Sequence, residues 1–383
     1  MQVPTHSEGI EKWLRLIRAD GVGPVTFTRL LERFGSVDGA LGASAASLAK
    51  VEGIGFKTAE RIAASRETFD AGAELELAGK LGVQLVHLRD DRYPPLLRQI
   101  YDPPPVLYIK GTLGRQDNLA IAIVGSRRCS IYGSEQASRL AHLLAASGFT
   151  IVSGMARGID TAAHQGALAA EGRTVAVQGC GLANIFPPEN ARLFELIACS
   201  GACVSELPLR YEPLSENFPP RNRIIAGLSL GAIIIEASPR SGALITAKTA
   251  MESNREVMAV PGKVDSPLSK GPHRLIKDGA RLIESADDVM EAIGYIGEQL
   301  KEHTARKAKA AAEKMEAPLF ETANLRLKGH EKTVFDALGK EPVHTDQIIA
   351  ATALPAGAVN ASVMALRLKG LIKAMPGNLF ARR

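Results

Sequence analysis

The chain has 383 residues, 46% of them hydrophobic, and carries a formal net charge of +5 with a pI near 9.0. That length predicts two or three domains with full cores, and the basic balance fits an acidic partner such as nucleic acid while also occurring in many proteins that bind none. The four cysteines, Cys129, Cys180, Cys199 and Cys203, form no CxxC pair and have no histidine at zinc-finger spacing, so reduced thiols and no bound metal are expected.

The chain opens with no basic-then-apolar leader, and no uncharged apolar run approaches the roughly 20 residues of a membrane span; a cytoplasmic protein without membrane contact is the expectation. Residues 1–82 read as short helices around two Gly-x-Gly turns, Gly21-Val22-Gly23 and Gly53-Ile54-Gly55. Each turn precedes a helical pattern, as in Phe27, Leu30, Leu31 and Phe34. Paired turns of this kind resemble helix-hairpin-helix units, whose helix starts offer N–H groups to phosphates; a packing domain that touches no DNA has the same pattern.

Residues 83–296 form the second block. It enters through Val83–Gly111, where Tyr93-Pro94-Pro95 and Tyr101-Asp102-Pro103-Pro104-Pro105 exclude helix and Val106–Ile109 reads as a strand. Strands are then expected at Ala120–Val124, Thr150–Ser153, Thr174–Val177, Cys203–Ser205, Ala232–Glu236 and Glu256–Val260. Runs such as Ala232-Ile233-Ile234-Ile235 suit strands buried on both faces. Their alternation with helical stretches predicts an α/β domain with a parallel sheet covered by helices, and Gly148 and Gly172 stand where helices end.

Residues 297–324, with Lys301, Arg306, Lys307, Lys309 and Lys314 among alanines, read as a linker or a charged helix. Residues 325–383 read as a winged helix: helices over Glu331–Leu338, Thr345–Ala351 and Ala356–Lys369, a stop at Gly370, then a hairpin of Leu371–Ala374 and Asn378–Ala381 around Pro376-Gly377. The third helix offers only Arg367 and Lys369, which is little for a DNA-reading helix.

Four segments of the central block carry candidate binding chemistry. Gly125-Ser126-Arg127-Arg128 follows the first strand and precedes a helix near Tyr132-Gly133; N–H groups, a hydroxyl and guanidinium forks suit phosphate there. The segment matches neither GxGxxG nor GxxxxGK[ST], so neither dinucleotide binding nor ATP hydrolysis is supported, and no cofactor is expected. Ser153-Gly154-Met155-Ala156-Arg157 brings Ser153, Gly154 and Arg157 to the same sheet edge. Asp160 and His164 follow; they read as a capping acid and a satisfied helix histidine rather than a catalytic pair, since no serine or cysteine nucleophile accompanies them. Phe218-Pro219-Pro220-Arg221-Asn222-Arg223 joins an aromatic to two arginines, a combination that stacks bases and holds phosphates of a single strand; alternatively Asn222 and an arginine tie loops together. Ser241, Gly242 and Thr246 can line the same edge, with Lys248 adding charge.

These segments resemble the DprA/Smf (DNA-processing protein A) family. The similarity lies in GSRRCSIYG at Gly125–Gly133, SGMARGIDTAAH at Ser153–His164, FPPRNRIIAGLS at Phe218–Ser229, SGALITA at Ser241–Ala247 and REVMAVPG at Arg255–Gly262. YPPLLRQIYDPPPVLYIKG at Tyr93–Gly111 resembles the family's entry into its central domain. The resemblance implies an extended Rossmann-like sheet domain between a helical (helix-hairpin-helix/SAM-like) N-terminal domain and a C-terminal winged helix. It implies single-stranded DNA binding without catalysis, a homodimer, and loading of RecA recombinase on incoming DNA during natural transformation. Gly125, Ser126 and Arg127 would form the phosphate loop, with Phe218, Arg221 and Arg223 in or near the DNA pocket. A basic residue found upstream of the phenylalanine in some relatives is replaced here by Ser215, Glu216 and Asn217. The rival reading, a Rossmann-like hydrolase of nucleotides, would require a PGGxGTxxE pattern with its glutamate; Ser241–Ala247 has none.

Overall fold

The computed structural model describes residues 9–294 and 329–382, less 340, 369, 370, 376 and 377. The chain divides into two compact units, Met1–Lys307 and Ala308–Arg383. The proposed linker at 297–324, Gly370, Lys369 and the Pro376-Gly377 turn lie outside the described residues.

Six helices open the first unit: α1 (Ile10–Arg18), α2 (Pro24–Phe34), α3 (Val37–Gly42), α4 (Ala45–Leu48), α5 (Phe56–Ser65) and α6 (Ala71–Leu81). The two Gly-x-Gly turns join α1 to α2 and α4 to α5. Gly21 and Gly53 take φ of 92° and 81°, a region that disfavours side chains. The bundle is not separate from the sheet that follows. Trp13 and Phe27 share one core with Tyr108, Phe194 and Leu209, and Glu74 accepts a 2.7 Å bond from the Leu209 N–H.

The sheet has nine strands: β1 (Val83–His87), β2 (Val106–Gly111), β3 (Ala120–Val124), β4 (Thr150–Ser153), β5 (Thr174–Val177), β6 (Ala202–Ser205), β7 (Gly231–Ile234), β8 (Glu256–Ala259) and β9 (Arg281–Leu282). Their order is β1-β2-β6-β5-β4-β3-β7-β8-β9. The six expected strands all form, as β3 to β8, and they pair in parallel with one another and with β9, which was not expected. Sequence reading missed the antiparallel extension: β1 pairs with β2, and β2 with β6. It also excluded helix from the proline-rich strap, yet α7 (Pro95–Arg98) is there. Pro95 occupies the first turn, where a missing N–H costs nothing.

Helices cover both faces of the sheet. On one side are α8 (Ile131–Ala146), α9 (Ile159–Ala169) and, after α10 (Ala191–Ser200), α11 (Phe218–Gly227), α12 (Gly242–Glu252) and α13 (Lys270–Lys277), the helix α14 (Ala286–Ala292). α8, α9 and α14 enclose Ile121, Ile123, Ile151 and Ile233. The opposite face, under α11, α12 and the strap, holds Leu97, Val152, Ile224 and Ile234. Ile233 and Ile234 are fully buried, and each such side chain contributes about 1.5–3 kcal/mol.

The second unit contains α15 (His330–Asp336), α16 (Thr345–Thr352), α17 (Ala356–Leu368) and strands β10 (Val343–His344), β11 (Ile372–Met375) and β12 (Leu379–Arg382), ordered β10-β12-β11. Val334, Ile348, Val363, Leu366 and Ile372 form its core. The short β10, which closes the hairpin into a three-stranded wing, was not foreseen. No single helix among the described residues is long and apolar enough to cross a membrane.

Candidate nucleic-acid interface

The chain runs outward from β3 through β4, β5 and β6, then returns to place β7 on β3's other side. In such sheets ligands bind where the order reverses, beyond the carboxyl ends of the strands. An open cavity of about 390 Å³ lies at that point. It is lined by Gly125–Arg128 after β3, Ala156 and Asp160 after β4, Phe218, Arg221 and Asn222 of α11, and Ser241, Gly242 and Thr246 after β7.

The loop after β3 is held from behind. The Ser126 N–H donates to the Glu236 carbonyl at 2.7 Å, while the Glu236 carboxylate accepts from Ser130 N at 2.8 Å and Ser130 Oγ at 2.6 Å. Ser126 Oγ accepts from the Arg128 N–H at 3.1 Å. Gly158, at φ 78°, passes so near that a Cβ there would clash with the Ser126 carbonyl. The loop is thus fixed while Arg127 and Arg128 remain exposed.

Phe218 is half-buried at the first position of α11. The Arg127 guanidinium lies 4.9 Å from its ring centre, Arg221 lies 5.9 Å away and the Phe186 ring 5.5 Å. Arg221 is itself buried. It donates to the Gly154 carbonyl at 2.6 Å and to the Val177 carbonyl, binding the ends of β4 and β5 to α11. Burial pulls its guanidinium down to about 10, against the pull of Asp160.

Asp160 is the other buried charge of the cavity. Gly158, not Asp160, stands at the N-cap of α9. The Asp160 carboxylate turns back to accept from Gly154 N at 3.1 Å and Ala156 N at 3.3 Å. Burial pushes it up to about 6, offset in part by Arg221, by these two N–H groups and by Arg127. His164 is fully buried and pushed down to about 3, first by burial and then by Arg221. The Thr174 hydroxyl donates to Ile151 O, so His164 Nδ1 carries the proton in its 2.7 Å bond to Thr174. His164 is thus a neutral ring bound inside the fold, and Asp160 a carboxylate engaged by two N–H groups.

The structure separates the remaining expected site residues. Arg223 does not line the cavity: it is buried between Asp102 at 2.9 Å and Glu206 at 2.6 Å. Asn222 ties α11 to the loop after β7, donating to Gly242 O at 3.3 Å. Ser153 Oγ donates to the Ile123 carbonyl at 2.6 Å and faces the sheet. Ser241 caps α12. Gly154 and the exposed Arg157 border a small crevice beside Phe186 and Phe218, with Arg157 paired to Glu189. Lys248 points outward, 3.5 Å from Glu252. Glu236 and Phe186 were missed. Glu236 ends a buried apolar run, and an acid there needs a partner, which was the readable signal.

The model of the DNA recombination-mediator protein A family matches residues 84–294, the whole sheet domain. The chain belongs to this family. A DprA-like N-terminal HHH domain matches residues 8–68 and the DprA winged helix domain residues 318–378. Along its length this family member is 38% identical to "Protein Smf" of Synechocystis, over 97% of this chain and 98% of that one. Its fold is similar to DNA processing protein A (DprA) from Streptococcus pneumoniae, with TM-score 0.65 and 35% identity over 76% of this chain and 98% of that one. It is also similar to DNA processing protein A from Helicobacter pylori, a protein described as having a unique single-stranded DNA binding mode. There the TM-score is 0.50 and the identity 29%, over 58% of this chain and 96% of that chain.

Proposed function

We propose that the chain binds single-stranded DNA across the carboxyl edge of its sheet and catalyses no reaction there. The observation that carries this reading is the half-buried Phe218 ring beside Arg127, above the fixed Gly125–Arg128 loop. The ring is a face for a base, and the loop's N–H groups and two exposed guanidinium groups suit the phosphates of the same strand. Duplex DNA keeps its base faces stacked and cannot use the ring. The hydrolase reading finds no support in the cavity, where Asp160 is committed to the loop and Ser241–Ala247 brings no carboxylate.

Membership of the DNA recombination-mediator protein A family supports a part in DNA processing, and we extend it to protection of incoming DNA and loading of RecA during natural transformation. The proposed working form is a homodimer in the cytoplasm, with domains at 1–82, 83–296 and 325–383. The test is a fluorescence-anisotropy titration of single-stranded and duplex oligonucleotides over a range of salt. Single strands bind more tightly, with a log–log salt slope of roughly −0.7 per phosphate neutralised. Duplex preference or a flat salt response refutes the reading.

A further inference from the structure

Beyond the Ser126–Ser130 loop lies a second open cavity of about 650 Å³, bordered by Ser130, Ile131, Tyr132, Glu236, Pro261 and Lys263. That is within the range of ligand-binding clefts. Glu236 shapes both cavities: its carbonyl fixes Ser126 in the first, and its carboxylate, holding Ser130, lines the second. The chemistry of the two differs. The first presents arginines, hydroxyls and glycine N–H groups. The second presents Ile131, Tyr132 and Pro261 beside the Glu236 carboxylate, with Lys263 and the hydroxyls of Ser130, Ser266 and Ser269 around them.

Ile131, at the first position of α8, is 80% exposed, and Val264, next to Lys263, is 77% exposed. Neither packs inside the fold. Tyr132 is 44% exposed, and its hydroxyl donates to the Pro261 carbonyl at 2.9 Å, so its ring is held in place at the cavity wall. A buried carboxylate repels phosphate. Each of its oxygens retains acceptor capacity beyond the Ser130 bonds, which suits the amino group of a base. Lys263 is exposed at the rim, where it can meet a backbone phosphate.

We propose that this second cavity is a nucleobase subsite, filled by a base of the same single strand whose phosphate rests on the Ser126–Arg128 loop. The inference rests on the single-strand reading above and extends it: the strand crosses the loop, with one base on Phe218 and another beside Tyr132. Aromatic and apolar walls bind bases with little regard to sequence, and the acidic floor favours a base that carries an amino group.

The experiment irradiates the full chain bound to an oligonucleotide containing 5-iodo-deoxycytidine and maps the cross-linked residues by mass spectrometry. Adducts are expected at both Phe218 and Tyr132. In parallel, the double variant Ile131→Ser/Tyr132→Ala, checked for folding by circular dichroism, is titrated with single-stranded DNA. Its affinity is expected to fall roughly fivefold or more. Adducts at Phe218 with none at Tyr132, or unchanged affinity of the folded double variant, overturn the second subsite and leave single-strand binding standing. No adducts and no affinity in the parent protein overturn both.

Discussion

The lip and the wall of the crevice use the same residue to opposite ends. On the lip, Arg127 is exposed beside the Phe218 ring. On the wall, Arg221 is buried and bound to backbone carbonyls, and behind it Arg223, which does not line the cavity, is buried between two carboxylates. A guanidinium with five donors can clamp a fold as well as a phosphate, and what it does is settled by the partners within reach. Arginines near an aromatic therefore mark a binding region without marking which of them bind.

The largest effect expected from this contrast is on stability. Arg223→Ala leaves Asp102 and Glu206 facing one another without their cation. Removing one partner of a buried ion pair costs about 3 kcal/mol, so the thermal midpoint should drop by several degrees. If Arg223→Ala melts with the parent but loses DNA, the arginine belongs with the lip after all.

Arg127→Ala should do the reverse. Its loss should weaken single-strand binding by about 1.5–3 kcal/mol, the range for hydrogen bonds to charged groups, with the salt slope reduced and the melting temperature unchanged. Titration at two salt concentrations beside a melting curve separates the two arginines.

Asp160 provides a smaller, pH-dependent effect. Its folded-state value of about 6 lies above the ordinary carboxyl range, so its contribution to stability is fully present in acid and is lost as pH rises through that value. The same proton removes a negative charge from beside Arg127 and Arg221. Single-strand affinity should therefore rise roughly threefold as pH falls from neutral through about 6. Asp160→Asn should flatten both dependences; a parent-like pH profile in that variant assigns the titration to another group.

Two changes should do least. Lys248→Ala removes only an exposed pairing with Glu252, and such pairs contribute about 0–1 kcal/mol. Deleting Leu325–Arg383 should leave binding by the sheet domain largely intact, since Arg367 is the one basic side chain of α17. A folded truncation that loses most of its affinity would make the winged helix a primary DNA contact.

Much of this was legible in the sequence because buried parallel strands have nowhere to hide. Ala120–Val124 and Ala232–Ile235 are apolar without alternation, and the loops between their ends and the next helices carry the arginines. The direction of the α11 arginines was legible too, had the helix been read from Pro219-Pro220, residues suited to a first turn. Residues two apart on a helix point to roughly opposite sides, so Arg221 and Arg223 could not both face the crevice. Their carboxylate and carbonyl partners were harder to find. Asp102 is 121 residues away in sequence from Arg223, and the pairing of β2 with β6 spans a comparable stretch. Contacts at that separation are made by the topology and leave no local pattern.

The shared core of α1, α2 and the β2–β6 edge has a practical consequence. Trp13 and Phe27 lie in one apolar mass with Tyr108, Leu209 and Cys203, and the Trp13 ring stacks on His87 of β1 with centroids 4.5 Å apart. A chain begun at Val83, though it would keep every strand, would bare that whole surface to water. Contiguous apolar area of this kind drives self-association. The sheet domain should be hard to keep in solution without its helical companion.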